Sequence, residues 1–166
     1  GFEIGKSLTE NKMLNTAEKI IKEMKSKKCK LVLPQDIICS DSLANKAKTY
    51  SFSVDRCPVD KMILDIGPMT EKNIMTIIDK SKTLIWNGPL GAFETLPFDR
   101  GTNNIAKYAA NRTLDRQLIS IAGGGDTVSA LKTSDSVSKF SYVSTAGGAF
   151  LEWLEGKTLP GIESLK

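Results

Sequence analysis

The sequence predicts an α/β fold, a three-layer Rossmann-like open parallel sheet with helices on both faces. Short apolar runs alternate with amphipathic helical stretches along the chain of 166 residues, a pattern typical of parallel βαβ units with right-handed crossovers. Several of the apolar runs also end in glycine-containing loops that lead towards a helix. No repeat, low-complexity segment or linker divides the chain, so residues 1–166 are predicted to form a single domain.

The predicted helices have apolar residues at intervals of three and four, which places those residues on one helix face. The clearest example spans residues 10–28, where Ile20, Ile21 and Met24 belong to an apolar stripe among lysines and glutamates. The next helix is predicted to begin with Thr70 as its capping residue. Further helices are predicted at residues 102–111, 128–132 and 149–155.

The predicted strands are short apolar or alternating runs bounded by proline, glycine or polar residues. Residues 48–54 alternate, with Tyr50, Phe52 and Val54 on one face, which predicts a half-buried strand. Residues 83–86 are mostly apolar, which predicts a strand covered on both faces. The remaining predicted strands are residues 30–34, 36–40, 62–66, 117–122 and 142–145.

The composition excludes several kinds of catalytic site. The chain contains no histidine, which removes Ser-His-Asp and Cys-His nucleophile systems, histidine-ligated metals and an imidazole base. Any chemistry must therefore use backbone dipoles, carboxylates, hydroxyls, lysines or a metal held by oxygen. The net charge of +4, from 23 basic and 19 acidic residues, is spread along the chain, so no nucleic-acid partner is expected.

The rest of the composition is typical of a globular cytoplasmic protein. No apolar stretch approaches the ~18 residues of a membrane-spanning helix, so no membrane partner is expected. The three cysteines, Cys29, Cys39 and Cys57, form no CxxC pair, and we expect them to be buried, reduced thiols. The chain begins with Gly-Phe-Glu-Ile-Gly, and we expect it to be the interior of a longer polypeptide.

Three predicted strands end in glycine-containing loops, at residues 86–91, 121–127 and 144–149. The carboxyl ends of the strands in an open parallel sheet share one edge, so these loops should converge on one crevice. Glycine lets the backbone approach a ligand closely, and the N–H groups at a helix start attract anions. A tight turn would explain one such loop, whereas three together favour a ligand with several phosphates, such as a nucleotide.

Residues in or near these loops are candidates for contacts with such a nucleotide. Asp126 would hold phosphate-bound Mg²⁺ or cap a helix. Glu94 would accept hydrogen bonds from ribose hydroxyls or lie in solvent, and Asn87 would donate to a phosphate or form an ordinary turn. An adenine pocket, or simply core, would be formed by Leu8, Leu64 and Ala92.

Two familiar nucleotide-binding motifs are absent from the sequence. Gly-Lys-Ser at residues 5–7 and Gly-Lys-Thr at residues 156–158 lack the first glycine of a P-loop at the required spacing. The triple glycine at residues 123–125 does not continue as GxGxxG, because Val128 stands at the last position. The alternative of a Rossmann-type dehydrogenase domain is weakened but stays open.

The chain nevertheless resembles a known family, the phosphoglycerate kinases. The resemblance is strongest in WNGPLGAFE, GGGDT and STAGGAFLEWLEGK. The resembling segments, in chain order, are residues 4–8, 33–36, 64–68, 86–94, 123–127 and 144–157. The chain is similar to most of the C-terminal, nucleotide-binding lobe of these two-domain enzymes, with Ala146 in place of a glycine and Phe150 in place of a serine.

The resemblance implies reversible phosphoryl transfer from 1,3-bisphosphoglycerate to ADP, which gives ATP and 3-phosphoglycerate, with Mg²⁺ as cofactor at Asp126. By the same resemblance, the nucleoside contacts would come from Leu8, Leu64, Pro89, Gly91, Ala92 and Glu94. The phosphate contacts would come from Asn87, Gly124, Gly125, Asp126 and Thr127. The catalytic glycines, whose amides face the group in transfer, would be Gly147 and Gly148.

The resemblance also implies what lies outside the chain. An N-terminal lobe with the phosphoglycerate site and a catalytic arginine is expected upstream, together with phosphate-binding lysines from the start of the C-terminal lobe. The chain alone is therefore expected to be inactive, and the full protein to be a cytoplasmic monomer in glycolysis or gluconeogenesis. A non-catalytic nucleotide-binding module is the alternative.

Overall fold

The computed structural model describes residues 1–144, 146 and 148–164. Its helices are α1 Leu14–Ser26, α2 Pro68–Asp79, α3 Arg100–Leu114, α4 Gly125–Thr133, α5 Ala149–Leu154 and α6 Pro160–Glu163. Its strands are β1 Asp36–Ser40, β2 Tyr50–Ser53, β3 Met62–Ile66, β4 Thr83–Asn87, β5 Ile119–Gly123 and β6 Tyr142–Val143. Short 3-10 turns occur at Asn11–Met13, Val54–Arg56 and Val137–Lys139.

A parallel sheet flanked by helices forms the second half of the fold, which confirms the predicted α/β class. Its strand order is β4-β5-β6, and β4 pairs with β5 from Thr83↔Ile119 to Asn87↔Gly123. Helix α3 buries a face of mostly small side chains in the core beside this sheet, which lets the helix approach closely. The buried residues of α3 in this core are Ile105, Ala106, Ala109 and Ala110. The other buried members of the core are Ile78, Trp86, Leu118, Ala122, Leu131 and Phe140.

The first three strands form a separate antiparallel sheet, so the expectation of parallel strands throughout is wrong for this half. The strand order is β2-β1-β3, and β1 runs antiparallel to both neighbours. The nine-residue connection at 41–49 contains no helix, and a connection without a helical crossover suits an antiparallel pair. A small core under this sheet consists of Ile37, Cys39 and Cys57 with partly buried neighbours.

Several element boundaries differ from the predictions. Residues 30–34 form no strand, although Leu31, Val32 and Leu33 are apolar. Helix α2 begins after Gly67, and Thr70 lies inside its first turn rather than at the capping position. Helix α3 extends three residues beyond the predicted 102–111 segment at its C-terminal end and two at its N-terminal end. Thr145, predicted as a strand residue, lies outside the described residues.

Helix α1 has no buried residue, although its apolar stripe is the clearest in the sequence. Ile20 is 52% exposed and Leu14 is 62% exposed. Strand β4 is also open on one side, because Ile85 is 49% exposed, so the prediction that both faces of this strand are covered is wrong. The described part of the chain therefore leaves two apolar surfaces without a packing partner.

The cysteines are free, as expected, but not uniformly buried. Cys39 and Cys57 are buried, whereas Cys29 is exposed after α1, so the prediction of burial is wrong for Cys29. Burial and the neighbouring Cys57 raise the pKa of the Cys39 thiol to about 12, so this thiol is un-ionised at neutral pH. Among the described residues no helix is long and apolar enough to cross a bilayer.

Candidate functional site

The carboxyl ends of the three parallel strands lie at one edge of the sheet. The register places Asn87 opposite Gly123, and Ala122 opposite Val143. The loops that follow β4, β5 and β6 therefore leave the sheet at the same edge, where ligands bind in open α/β sheets. The Ser144 amide donates to the Ala122 carbonyl over 2.8 Å, which keeps the third loop beside the second.

The first two loops are in direct contact. The Gly88 amide donates a 2.7 Å hydrogen bond to the hydroxyl oxygen of Thr127. A Cβ on Gly124 would lie 3.1 Å from Asn87 Oδ1, so the Asn87 side chain reaches the glycine loop. Gly88 and Gly124 have φ angles of +89° and +94°, in the region that favours glycine. The Thr127 side chain is buried and therefore holds the two loops together.

Helix α4 begins at this contact without a side-chain cap. Gly124 occupies the N-cap position and makes no side-chain hydrogen bond there, so the first amides of the helix are available to an anion. A Cβ on Gly125 would meet nothing within 4 Å, which leaves open space in front of the helix start. The structure thus provides the elements of an oxyanion site at the sheet edge.

Asp126 lies in the first turn of α4 and is not its capping residue, which removes the helix-cap alternative. Its side chain is exposed, and no hydrogen bond or ion pair joins its carboxylate to another described residue. A free carboxylate beside an oxyanion site is a suitable ligand for Mg²⁺, which is commonly held by one or two carboxylates plus substrate phosphates. No cluster of three or more metal-ligating side chains occurs among the described residues.

A cavity of about 250 Å³ lies between the antiparallel sheet and the first loop. Leu64, Gly91 and Ala92 line it, and the Ala92 amide donates to the Leu64 carbonyl over 2.8 Å. Leu8 is not among the lining residues, and its side chain is fully exposed. The preceding residue, Ser7, accepts a 2.9 Å hydrogen bond from the Ile63 amide, so Leu8 does follow a segment bound to β3.

The remaining predicted residues of the first loop are less enclosed. Pro89 is half-buried directly after Gly88, and Glu94 is exposed. No described residue is hydrogen-bonded to the Glu94 carboxylate. Both residues are on the loop that carries Gly91 and Ala92.

Asp65 is a buried residue of this site that the sequence analysis missed. It is 4% exposed, directly follows Leu64, and accepts hydrogen bonds from the Gly101 amide at 2.7 Å and the Ile66 amide at 2.8 Å. A Cβ on Gly91 would lie 2.4 Å from Asp65 Oδ1. The carboxylate therefore contacts both the loop at Gly91 and the start of α3 at Gly101. A lone aspartate in the apolar run Met-Ile-Leu-Asp-Ile was the available sequence signal.

Burial raises the pKa of Asp65 to about 6, while the two amide hydrogen bonds oppose this effect. Glu71 and Asp99, which are nearby carboxylates, raise it further. Asp36 in the antiparallel sheet shows the opposite result. Burial alone would raise its pKa, but hydrogen bonds from the Thr70 hydroxyl and from the Met69 and Thr70 amides lower it below the usual value.

The third loop is only partly described. The Ala146 amide donates to Ser144 Oγ at 3.3 Å, and the Glu152 amide donates to the Gly148 carbonyl at 2.9 Å. Gly148 is exposed at the start of α5. Gly147 lies outside the described residues, as does the side chain of Phe150. A cavity of about 480 Å³ adjoins this loop between β6, α5 and α6.

A family model for phosphoglycerate kinase matches residues 1–157. The chain belongs to the phosphoglycerate kinase family. This membership removes the dehydrogenase alternative and agrees with the absence of a GxGxxG motif.

Individual phosphoglycerate kinases are similar to the chain along most or all of its length. Phosphoglycerate kinase of Bradyrhizobium diazoefficiens is 51% identical over 166 residues, which are all of this chain and 42% of the relative. The solved phosphoglycerate kinase of Coxiella burnetii is 41% identical with a TM-score of 0.90, over 98% of this chain and 41% of that protein. The Pyrococcus horikoshii structure is 25% identical with a TM-score of 0.74, over 93% of this chain and 36% of that protein.

The chain spans 42% of the length of the curated phosphoglycerate kinases it matches. The match therefore establishes the family of this chain, and it does not extend to the activity of a full-length enzyme.

Proposed function

We propose that the chain is the nucleotide-binding part of a phosphoglycerate kinase, which transfers a phosphoryl group between 1,3-bisphosphoglycerate and ADP to give 3-phosphoglycerate and ATP. The observation that carries this proposal is the junction of the first two loops, where the Gly88–Thr127 hydrogen bond lies at an uncapped helix start and the first loop goes on to line an apolar cavity at Gly91 and Ala92. An uncapped helix start suits phosphate, and an apolar cavity suits a purine. A single ligand that needs both is a nucleotide.

The nucleotide would lie across the sheet edge. Its base would occupy the cavity at Leu64 and Ala92, next to Pro89 and Gly91, and its ribose hydroxyls would donate to the exposed Glu94. Leu8 would join the pocket only if its exposed side chain turned towards β3.

The phosphates would lie at the helix start. Asn87 and the backbone amides of Gly124, Gly125 and Thr127 would bind their oxygens. The amides of Gly147 and Gly148, in the third loop, would face the group in transfer. Phosphoryl transfer depends mainly on positioning and on stabilisation of charge, so backbone donors at fixed positions are sufficient for this part of the site.

Mg²⁺ fits this arrangement through Asp126. The carboxylate has no partner among the described residues and lies at the helix start, where phosphate oxygens would complete the coordination. When bound, the ion would neutralise phosphate charge. The chain's own contribution is to orient the nucleotide through Asp126 and the amides of α4.

Calorimetry of the Asp126→Asn variant tests the metal assignment. The variant should weaken MgADP binding by about tenfold or more, and metal-free ADP binding much less, because only the former uses the carboxylate as a ligand. Asp135→Asn is a matched control, since Asp135 lies just beyond the other end of α4 and makes only an exposed ion pair with Lys139. Equal losses with and without Mg²⁺ would contradict the assignment.

We also propose that the chain alone does not turn over. The three loop segments at residues 86–91, 121–127 and 144–149 contain no lysine or arginine, and the charge of the transferring group needs cations for its stabilisation. A coupled assay with 1,3-bisphosphoglycerate and ADP should detect no ATP from the chain alone. ATP formation by the purified chain would contradict this proposal.

The lack of lysine and arginine in these loop segments also favours the second candidate, a non-catalytic nucleotide-binding module. The two candidates differ in the full-length protein: an enzyme forms ATP there, whereas a module binds ADP without turnover. In either case we propose a cytoplasmic monomer that binds neither nucleic acid nor membranes. The three free cysteines support a reducing compartment.

A further inference from the structure

A polar cavity lies at the edge of the parallel sheet opposite the candidate nucleotide site. It has a volume of about 520 Å³ and is lined by residues from the ends of α2 and α3 and the starts of β4 and β5. Thr83 and Ile119 pair at this edge, whereas Asn87 and Gly123 pair at the candidate nucleotide edge. Five-residue strands separate the two edges by about 13 Å, so this cavity is distinct from the nucleotide site.

The lining of this cavity is cationic. Lys82, Arg112 and Arg116 contribute three positive charges, and Asp79 is the one negatively charged residue among the described residues that line the cavity. Lys82 and Arg116 are exposed, and neither forms an ion pair with another described residue. The cavity therefore has an excess of two positive charges and two cations that a ligand could use.

Arg112 contributes a buried donor that lacks an acceptor. Its Nη1 donates to Gln117 Oε1, and its Nε lies 3.2 Å from Asp79 Oδ1. The Nε–H is nevertheless buried and not aligned for a hydrogen bond with any described residue. Asp79 Oδ1 already accepts a 2.6 Å hydrogen bond from the Tyr108 hydroxyl. Because this Nε–H is buried against Asp79, Arg112 contributes positive charge to the cavity rather than this donor.

The ends of two helices explain only part of this charge. Carbonyl groups at a helix C-terminus favour a nearby cation by about 0.3–1 kcal/mol, and Arg112 in the last turn of α3 can fill that role. Three cations around one cavity exceed what two helix ends require. Guanidinium groups instead match the paired oxygens of phosphate.

We propose that this cavity binds a phosphate-type oxyanion, either free phosphate or the phosphate group of a small molecule. Lys82 and Arg116 supply the charge, and the side-chain Nε2 of Gln117 supplies a further donor. Leu118 and Ile119 form the apolar side of the cavity, against which the carbon part of a phosphate monoester packs. The site is independent of the proposed function at the other edge.

Amide NMR at constant ionic strength tests the proposal, with inorganic phosphate and glycerol phosphate as separate probes and chloride as the reference. Saturable shifts of the Leu118 and Ile119 amides are expected with at least one probe. Tighter binding of glycerol phosphate would identify a phosphorylated small molecule, and equal binding would identify free phosphate. The absence of saturable shifts at these amides with both probes would overturn the proposal.

Charge-neutral variants localise the binding. Lys82→Gln combined with Arg116→Gln should weaken it by tenfold or more, and Lys82→Gln alone by several-fold. Lys107→Gln is the matched control, because Lys107 is an exposed lysine of α3 that does not line the cavity. Unchanged affinity in the double variant would overturn the proposal. Phosphate shifts at Gly124 to Thr127 report the nucleotide edge separately and should persist in all of these variants.

Discussion

Asp36 and Asp65 are buried carboxylates with opposite responses to their surroundings. Asp36 accepts three hydrogen bonds, two of them from backbone amides, and its pKa is lowered. Asp65 accepts two, and burial outweighs them, so its pKa is raised. Ionised Asp36 therefore stabilises the fold above its unfolded-state pKa, and this contribution is lost as pH falls through the folded value. Ionised Asp65 costs stability.

Asp65 should make the protein less stable as pH rises from about 4 to about 6. The ordinary pKa of an aspartate is 3.8, whereas the pKa of Asp65 in the fold is about 6, so the folded state retains a proton that the unfolded state releases. The stabilisation is complete below the unfolded value and is lost as pH rises through the folded value. The loss is on the order of 3 kcal/mol, since one pKa unit corresponds to about 1.4 kcal/mol. Urea unfolding at several pH values measures it.

The Asp65→Asn variant should remove this decline, because the amide does not titrate. Its stability at low pH should nevertheless be reduced, since one of the two amide donors at Gly101 and Ile66 would lose its acceptor. Asp115→Asn, at an exposed carboxylate after α3, should keep the decline. An identical pH dependence in the Asp65→Asn variant and the wild type would show that another group causes it.

Two glycines of the candidate site should respond differently to alanine. A Cβ on Gly91 would lie 2.4 Å from Asp65 Oδ1 and 2.7 Å from the Phe98 carbonyl oxygen, so Gly91→Ala should lose about 2 kcal/mol or more of unfolding free energy.

In Gly125→Ala, the added methyl group meets open space, so this variant should leave the unfolding free energy within about 0.5 kcal/mol. It should still weaken ADP binding roughly tenfold, because the methyl group would occupy the phosphate position. Urea unfolding and calorimetry separate the two effects, and unchanged ADP affinity in Gly125→Ala would place the phosphates elsewhere.

Helix α2 is capped by a residue from another element. Asp36 of β1 accepts hydrogen bonds from the Met69 and Thr70 amides and from the Thr70 hydroxyl, which satisfies the start of the helix. Gly67 makes room for this carboxylate, because a Cβ there would lie 2.2 Å from Asp36 Cγ. The contact ties α2 to the antiparallel sheet.

Thr70→Val should therefore destabilise the protein by about 1–3 kcal/mol, since it removes a buried hydroxyl that bonds both Asp36 and the Gln35 amide. Thr76→Val is the control on the same helix. Its hydroxyl bonds the Lys72 carbonyl in solvent, and the change should be within about 0.5 kcal/mol. Urea unfolding compares the two variants, and equal losses would mean that helix propensity, rather than the capping contact, is responsible.

Local patterns predicted most of the elements, and the errors have physical causes. Strands β1 and β3 have the predicted bounds because their apolar runs are cut by local breakers. Thr70 was misplaced as a cap because its true partner, Asp36, is 34 residues away in sequence. The strands of the first sheet are antiparallel, and the segments that connect them contain no α-helix. The residue pattern of such a segment does not show whether it reverses the chain or crosses over to a parallel strand, so the strand direction could not be predicted.

Some residues of the candidate site could likewise be predicted from local sequence, and others could not. Asn87 ends β4 and Gly124 directly follows β5, so their position at the sheet edge could be predicted from sequence. Asp65 could not, because its role depends on Gly91 and Gly101, which lie 26 and 36 residues further along the chain. Leu8 was predicted to join the adenine pocket because it is apolar, and its exposed side chain is the least supported of the predicted contacts.

At the scale of the molecule, the exposed faces of α1 and β4 should make the chain bind hydrophobic dyes. Ile20→Glu combined with Ile21→Glu should lower the fluorescence of bound anilinonaphthalene sulfonate. It should leave the unfolding free energy within about 1 kcal/mol, because α1 has no buried residue. Ile78→Glu, in the buried core, should unfold the protein and raise dye binding. A large loss of stability in the Ile20/Ile21 variant would show that α1 packs against the body of the chain.

The cavity at Leu64 and Ala92 has a thermodynamic consequence. One wall comes from the antiparallel sheet and the other from the loop after β4, and the Ala92–Leu64 hydrogen bond is one of the links across this seam. A nucleotide held there would contact both halves and would be released when they separate. By mass action, a bound nucleotide would then stabilise the contact between the two halves in proportion to its concentration. The cooperativity of unfolding between the two sheets would therefore rise with the concentration of free ligand.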